Sequence, residues 1–515
     1  MTEKTLLKNF SIVSVWTFFS RILGFFRDIF LAFFLGSGPV AQAFLIAFTL
    51  PNMLRKIFAE GSFNKVFIPM FIDIKNDKKE ACDFVSIVFM GLLFCLGIVS
   101  ALGVFYMPYL IKFIAFGFLN DTRFDLAVFY GRILFPYILL ISLTQLFNSI
   151  LNSLNLYHIS TATQCILNFM LIASLLVSAF FESNYGANLC ISVILAGLIN
   201  LVLVFRSCRI NGISISFLNL RYTKSSLNRS KTLLFKSLPI AFSSGVSQIN
   251  LVVGRQISSL FDGAVVWLIY ADRLAQLPIA IIGVALNIVT LPKLAEFKKR
   301  GEVGKINFYL NRSLQLSLLF SLPACAGLVF LNQEIISALF ERGNFTANDT
   351  EKTSLALAIY SFSIIPISFQ MLFLNYYFAE KDIKTPFFYS ITSVIANLTL
   401  AYSLLNQFEY LSPPIAYSIT NCVLTCFLIL QTKKRGFFFD QIFYKISIRV
   451  ILSTILMTLI LLMTKYFILD NINSSYFNVF ELIISIFFGA SAYFICLYYL
   501  RVLNNRYWKF DQQDK

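Results

Sequence analysis

Fourteen mainly apolar stretches, each long enough to cross a bilayer as a helix and each set off by a polar break, run through the 515 residues of the chain. A helix needs about 20 such residues to span a hydrocarbon core of about 30 Å, and within that core every backbone N–H and C=O must be bonded inside the protein. The stretches therefore fold as transmembrane helices. Their limits are 10–35, 40–68, 84–111, 125–152, 160–181, 187–205, 237–260, 264–291, 310–331, 353–378, 387–406, 412–431, 447–468 and 478–500. The second turns amphipathic in its last third, where Arg55, Lys56, Glu60 and Lys65 fall.

The first stretch follows Lys4 and Lys8 as a secretory signal would, but Arg21, Arg27 and Asp28 interrupt it and no small-residue cleavage site follows. It is read as a retained span. Hydrophobic residues make up 58% of the chain and charged residues only 13%, whereas a soluble domain carries about 25% charge. The composition cannot cover a water-facing surface of this size, and an all-α polytopic membrane protein of about 14 transmembrane helices is expected.

The basic residues test the count, because Lys and Arg collect in short cytoplasmic loops. With the N-terminus inside, 29 of the 42 Lys and Arg fall on inner segments and five on outer ones: Lys112, Arg123, Arg342, Lys352 and Lys465. An even number of spans puts both termini in the cytoplasm. The formal charge of +16 is then mostly topology, with some attraction to anionic lipid, and nucleic acid is not an expected partner.

With Arg312, Arg449 and Lys465 at span ends counted among the adjoining inner and outer segments, eight basic residues remain inside spans: Arg21, Arg27, Arg55, Lys56, Lys65, Arg132, Arg255 and Arg273, accompanied by Asp28, Glu60 and Asp272. An arginine at mid-membrane costs about 2.5–3.5 kcal/mol even on the lenient insertion scale. Lys65 and Arg255 stand near helix ends and can snorkel; Lys56 and Glu60, four apart, can pair on one face. Arg21 and Arg273 lie about 15 Å into spans 1 and 8 at 1.5 Å per residue, too deep to snorkel easily. Arg21 and Asp28 share a helical face, Arg27 points about 120° away, and Asp272 directly precedes Arg273. Two arrangements meet the cost: interhelical ion pairs, or a water-filled cavity whose surplus positive charge an anionic ligand completes. Arginine's planar fork suits phosphate oxygens, so a phosphate or pyrophosphate headgroup is the ligand chemistry to expect. No GxxxxGK[ST] loop is present for nucleotide hydrolysis. His158 reads as a loop residue, and the nine cysteines lack zinc or disulfide spacing. No metal, cofactor or catalytic group is expected, and the chain is read as a non-enzyme.

Several blocks then resemble one family. FSRILGFFRD begins at Phe19, FLGSGPVAQAF follows from Phe34, and AFTLPNMLRKIFAEGSFNKVFIPMF ends at Phe71. FPYILLISL (135–143), VSQINL (246–251), IYADRLAQLPIAIIGVAL (269–286), Leu291 with Pro292, GNFTA (343–347) and DIKTP (382–386) continue the match through span 11, while spans 12–14 match in hydropathy only. The sequence is similar to the MurJ (MviN) family, the lipid II flippases of peptidoglycan synthesis in the multidrug/oligosaccharidyl-lipid/polysaccharide exporter superfamily.

That resemblance implies two six-helix lobes around a central cationic cavity: an N-terminal lobe at 1–209, a basic cytoplasmic linker at 210–236, a C-terminal lobe at 237–432, and two further helices with the tail at 433–515 that form a groove for the lipid tail. It implies transport of lipid II across the bacterial cytoplasmic membrane by alternating access, with membrane lipids and cell-wall synthesis proteins as further partners. Another polyprenyl-linked glycolipid is the rival cargo; an enzyme acting on lipid pyrophosphates is the rival of another class. Arg21, Arg27, Arg55 and Arg273 align with family arginines of substrate handling, with Asp28, Gln42, Glu60, Asp272 and Arg255 in supporting or gating places. Two positions depart from the family pattern. Gln42 stands where an aspartate is usual, and Gly254 where many relatives carry an acid before Arg255, so a sodium site built on that acid is not expected.

Overall fold

The structure is a computed structural model that describes residues 3–56, 64–213, 215, 224–466 and 477–502. The described residues form helices and no strands, and they group into two compact units: Met1–Val266 with Arg342–Phe345, and Trp267–Glu341 with Thr346–Lys515. In the first lie α1 (Glu3–Leu35), α2 (Pro39–Leu54), α3 (Asn64–Ile72), α4 (Lys78–Phe105), α5 (Met107–Ile114), α6 (Thr122–Leu134), α7 (Tyr137–Ser153), α8 (Tyr157–Phe180), α9 (Tyr185–Ile210) and α10 (Lys224–Ser258). From α11 (Ala264–Pro278) onward the second contains α12 (Val284–Lys299), α13 (Val303–Phe330), α14 (Asn332–Phe340), α15 (Ala347–Ser361), α16 (Ile364–Ala379), α17 (Lys384–Ser403), the short α18 (Leu405–Phe408), α19 (Ser412–Lys434), α20 (Gln441–Thr464) and α21 (Phe477–Tyr499). Each of the fourteen expected spans overlaps a described helix or helix pair, with residues 57–63 of the second and 467–468 of the thirteenth outside the described residues. Among the described residues ten helical runs are long and apolar enough to cross a membrane.

Prolines account for two of the breaks. Pro136 has no N–H to bond the carbonyl of Arg132 and its ring crowds that turn, so α6 gives way to α7 there. Pro366 does the same at the carbonyl of Phe362, between α15 and α16. The two broken spans, Thr122–Ser153 and Ala347–Ala379, are 32 and 33 residues long. Each follows a 28-residue helix, α4 or α13, and a short one, α5 or α14. The second unit thus repeats the element order of the first.

Apolar side chains face two ways, as a bilayer protein requires. The aromatic cluster of the first unit buries Phe67, Phe71, Phe84, Phe89 and Phe147 between α3, α4 and α7, while Phe94, Ile98, Leu102 and Phe105 on α4 stay exposed. In the second unit α20 packs on α13, and α21 on α20 and α14, with Leu319, Val450, Met457, Leu461 and Tyr493 buried in one cluster. The Tyr493 hydroxyl donates to the carbonyl of Leu319. Buried small polar residues bond their own helix: Ser86, Thr144, Ser149, Ser368, Thr425 and Thr432 each donate to the carbonyl four residues back. Such back-bonding satisfies a hydroxyl without a partner helix, and small residues let helices approach closely in lipid.

Candidate functional site

On α1 the arginines differ in company. Arg27 bonds Asp28 Oδ1 through Nε (3.1 Å) and Nη2 (2.9 Å), and its Nη1 donates to Asn168 Oδ1 on α8 at 2.8 Å. Asn168 Nδ2 in turn donates to the carbonyl of Ser20 at 3.1 Å, so one carboxamide ties two turns of α1 to α8. Asp28 is buried, and Arg27 supplies the charge that a buried carboxylate requires. Arg21 is exposed one and a half turns earlier, with no acid beside it in the chain.

Gln42 is fully buried near the start of α2 and acts as a two-way node. Its Nε2 donates to the Ser37 carbonyl (2.8 Å) and to Asp262 Oδ1 (2.7 Å), and its Oε1 accepts from Arg123 Nη1 at 3.0 Å. Arg123, almost completely buried, also pairs with Asp121 and lies 4.6 Å from the centre of the Phe118 ring. Burial alone would raise the Asp121 carboxyl, but the backbone N–H, side chain and charge of Arg123 outweigh it and hold the group below its ordinary value. A glutamine thus holds this position by hydrogen bonding alone, with Arg123 and Asp262 as its side-chain partners. Sequence reading took Arg123 for an ordinary outer-loop charge. Nothing in the local pattern marks it as buried.

The C-terminal end of α10 joins the same region. Gln256 Nε2 donates to the Phe113 carbonyl (2.7 Å), and the Gly117 N–H donates to Ser259 Oγ (3.0 Å). Arg255 and Gly254 are half-buried on this stretch, and a Cβ added at Gly254 would meet no atom within 4 Å. Packing therefore does not dictate the glycine.

Arg55 caps the C-terminus of α2 and stands in the wall of a cavity of about 550 Å³ inside the first unit, between α1, α2, α7, α8 and α9. Glu60 lies outside the described residues. Asp272 and Arg273 are half-buried on α11 in the second unit, and Asp272 Oδ2 accepts from Gln276 Nε2 at 2.6 Å. The structure places Arg21, Arg27 and Arg55 in one unit and Arg273 in the other.

Two sequence blocks serve structure. In DIKTP, Asp382 accepts from the Thr385 N–H (3.0 Å), the Thr385 hydroxyl (2.7 Å) and Arg435 Nη2 (2.7 Å), while Glu380 takes Lys298 (2.6 Å) and Arg435 Nη1 (2.9 Å). This clamp joins the ends of α12, α16 and α19 to the start of α17. In GNFTA, the Asn344 N–H and side chain donate to the Phe33 and Phe34 carbonyls at the end of α1 (2.9 and 2.6 Å). The approach is so close that a Cβ on Gly36 would lie 2.2 Å from the Asn344 carbonyl oxygen, and Gly36 also adopts a φ of +56°, both of which glycine alone tolerates.

Comparison with known proteins bears on the chain as a whole. The family model described as lipid II flippase MurJ matches residues 31–488. A probable lipid II flippase MurJ of Rhizobium meliloti (strain 1021) is 36% identical over 407 residues, covering 78% of this chain and 75% of its own. One from Rickettsia prowazekii (strain Madrid E) is 31% identical over 97% of this chain and 99% of its own. A solved structure titled lipid II flippase MurJ, inward closed conformation, superposes with a TM-score of 0.79 at 27% identity, covering 95% of this chain and 99% of that one. An inward-facing multidrug resistance MATE transporter of the MOP superfamily shares the fold, with a TM-score of 0.69 at 14% identity over 81% of this chain and 94% of its own. With a helix at every expected span and a family match running from the end of α1 into α21, this multi-pass membrane protein belongs to the MurJ family of lipid II flippases.

Proposed function

We propose that the chain carries lipid II from the inner to the outer leaflet of the bacterial cytoplasmic membrane by alternating access. The observation that carries this reading is the family match over 31–488, reinforced by a MurJ structure that superposes over 95% of the chain. Arg21, Arg55 and Arg273 take up the pyrophosphate, with Arg27 fixing α1 against α8 through Asp28 and Asn168. A phosphate held by arginine forks gains charge-assisted, bidentate bonds, and a polar headgroup carried through a wet cavity avoids hydrocarbon. The polyprenyl tail stays in lipid beside α20 and α21, whose outer faces expose Leu452, Ile455, Leu459 and Phe487. Flipping breaks no covalent bond, so no catalytic group or cofactor takes part. Both termini lie in the cytoplasm, and cell-wall synthesis proteins receive the delivered substrate.

The test is reconstitution in liposomes with labelled lipid II and measurement of its transfer between leaflets. Transfer by the native chain, lost in a folded Arg273→Ala variant, is the expected result. A native chain that does not move lipid II defeats the reading, and full activity in the folded variant removes Arg273 from the site.

A further inference from the structure

Asp125 and Arg132 are charged side chains on α6 that the transport reading leaves unused. Both are exposed, neither has an ion-pair or hydrogen-bond partner among the described residues, and neither lines the cavity that Arg55 borders. Seven residues bring a helix back to within about 20° of the same direction, so the two share one stripe, about 10 Å apart along the axis. Phe129, also exposed, stands between them. The neighbouring helices take other sides of α6: Tyr130 lies against Gly186 of α9, and Gly131 against Met107 of α5. Gly103 of α4 meets the Phe135 ring, and Val99, Leu102 and Tyr106 beside it are exposed. The stripe therefore runs down an apolar outer surface of the first unit, of the kind that acyl chains cover.

Depth sorts the two charges. The helical run Thr122–Ser153 has 32 residues, about 48 Å at 1.5 Å per residue, against a hydrocarbon core of about 30 Å. Centred on that core, it leaves about six residues in the polar layer at each end. Asp125 then stands about 4 Å outside the boundary and Arg132 about 6 Å inside it, a depth from which an arginine stem reaches back to the interface. An unpaired arginine there is costly, and a phosphate at the boundary would pair it through charge-assisted bonds.

We infer that this stripe binds a zwitterionic aminophospholipid of the surrounding bilayer: Arg132 holds the phosphate, Asp125 accepts from the ammonium group that lies farther out, and Phe129 and Leu102 flank the acyl chain. The order of the charges, cation deeper and carboxylate outside, is the complement of a phosphatidylethanolamine headgroup. Phosphatidylglycerol would satisfy Arg132 but bring no cation to Asp125, and the ammonium of phosphatidylcholine has no N–H to donate. The leaflet is the outer one in the orientation proposed above, which is the one point taken from that reading.

The test places an indole in the stripe. Full-length Phe129→Trp, with one tryptophan more than the three of the native chain, is reconstituted in phosphatidylcholine vesicles with rising fractions of phosphatidylethanolamine, phosphatidylcholine or phosphatidylglycerol that carry brominated acyl chains. Quenching above that of the native chain reports the lipid beside position 129. Brominated phosphatidylethanolamine is expected to reach half-quenching at about a threefold lower fraction than brominated phosphatidylcholine, the margin of one exposed charge pair. Asp125→Asn in this background should abolish that margin and make phosphatidylglycerol the best quencher, whereas Arg132→Gln should make phosphatidylglycerol the weakest. Both positions are exposed, so neither change disturbs packing. Equal half-quenching by the three lipids, phosphatidylglycerol ahead of phosphatidylethanolamine in Phe129→Trp alone, or a margin that survives Asp125→Asn overturns the site. The flippase reading fails separately, through a native chain that moves no lipid II in liposomes, whereas native transfer with no lipid preference at position 129 defeats the site alone.

Discussion

Arg27 and Arg21 sit on the same helix and carry the same charge, yet they answer to different constraints. Angular spacing separates Arg27 from the face that Arg21 and Asp28 share, but it describes only where Cα–Cβ bonds point. The guanidinium at the end of a long flexible stem folds back onto its neighbour, and Asp28 is neutralised by the adjacent residue. Truncating one member of a buried pair leaves the other charge uncompensated, at a cost of about 3 kcal/mol or more. Arg27→Ala is therefore expected to lower the thermal midpoint clearly, and adding Asp28→Asn should restore much of the loss. Arg21→Ala, at an exposed position, should leave the midpoint near native and act on transport instead. Thermal unfolding of the native chain and the three variants checks this; an equal loss in both single alanine variants would contradict the division of roles.

At the scale of elements, the clamp around Asp382 makes a claim about pH. The N–H of Thr385, its hydroxyl and Arg435 together outweigh burial and depress the Asp382 carboxyl from 3.8 to about 2. Lys298 and Arg435 hold Glu380 below its ordinary value against the same opposing effect of burial. A carboxyl whose folded pKa is depressed contributes stability that is complete above its unfolded value and is lost as pH falls through the folded one. Asp382→Asn should therefore melt below the native chain by a constant margin from pH 8 to pH 5, and the margin should shrink between about pH 4 and pH 2. A margin that widens on acidification would show that the ionised form is not what the clamp holds. The helices that this clamp joins were legible in the sequence, since hydropathy reports the average character of some 20 residues at once. Their breaks at Pro136 and Pro366, the short helices α5 and α14, and the burial of Arg123 were not. Each depends on one side chain or one missing N–H, which an average removes. The Arg123 interaction with Gln42 also joins residues 81 positions apart, a distance over which spacing says nothing about proximity.

For the whole molecule, the side chains at positions 254 and 255 bear on what drives transport. A bound sodium ion in a low dielectric needs several oxygen ligands, and a carboxylate is the most valuable because it offsets the ion's charge. Gly254 supplies no side chain, Arg255 beside it repels a cation, and the space around Gly254 would have admitted an acid. The membrane potential then becomes the natural source of work, at about 2.3 kcal/mol per charge per 100 mV, acting on the arginines within the spans and on the anionic headgroup. Flipping in vesicles at a clamped potential should be unchanged when sodium is replaced by choline, and should fall when the potential is collapsed at constant sodium. Gly254→Asp should fold, because its Cβ meets nothing within 4 Å, and should still show no sodium response, since one carboxylate supplies only part of the set of oxygen ligands that an ion needs. Loss of native transport on replacing sodium would place an ion site elsewhere in the chain and end the inference from position 254.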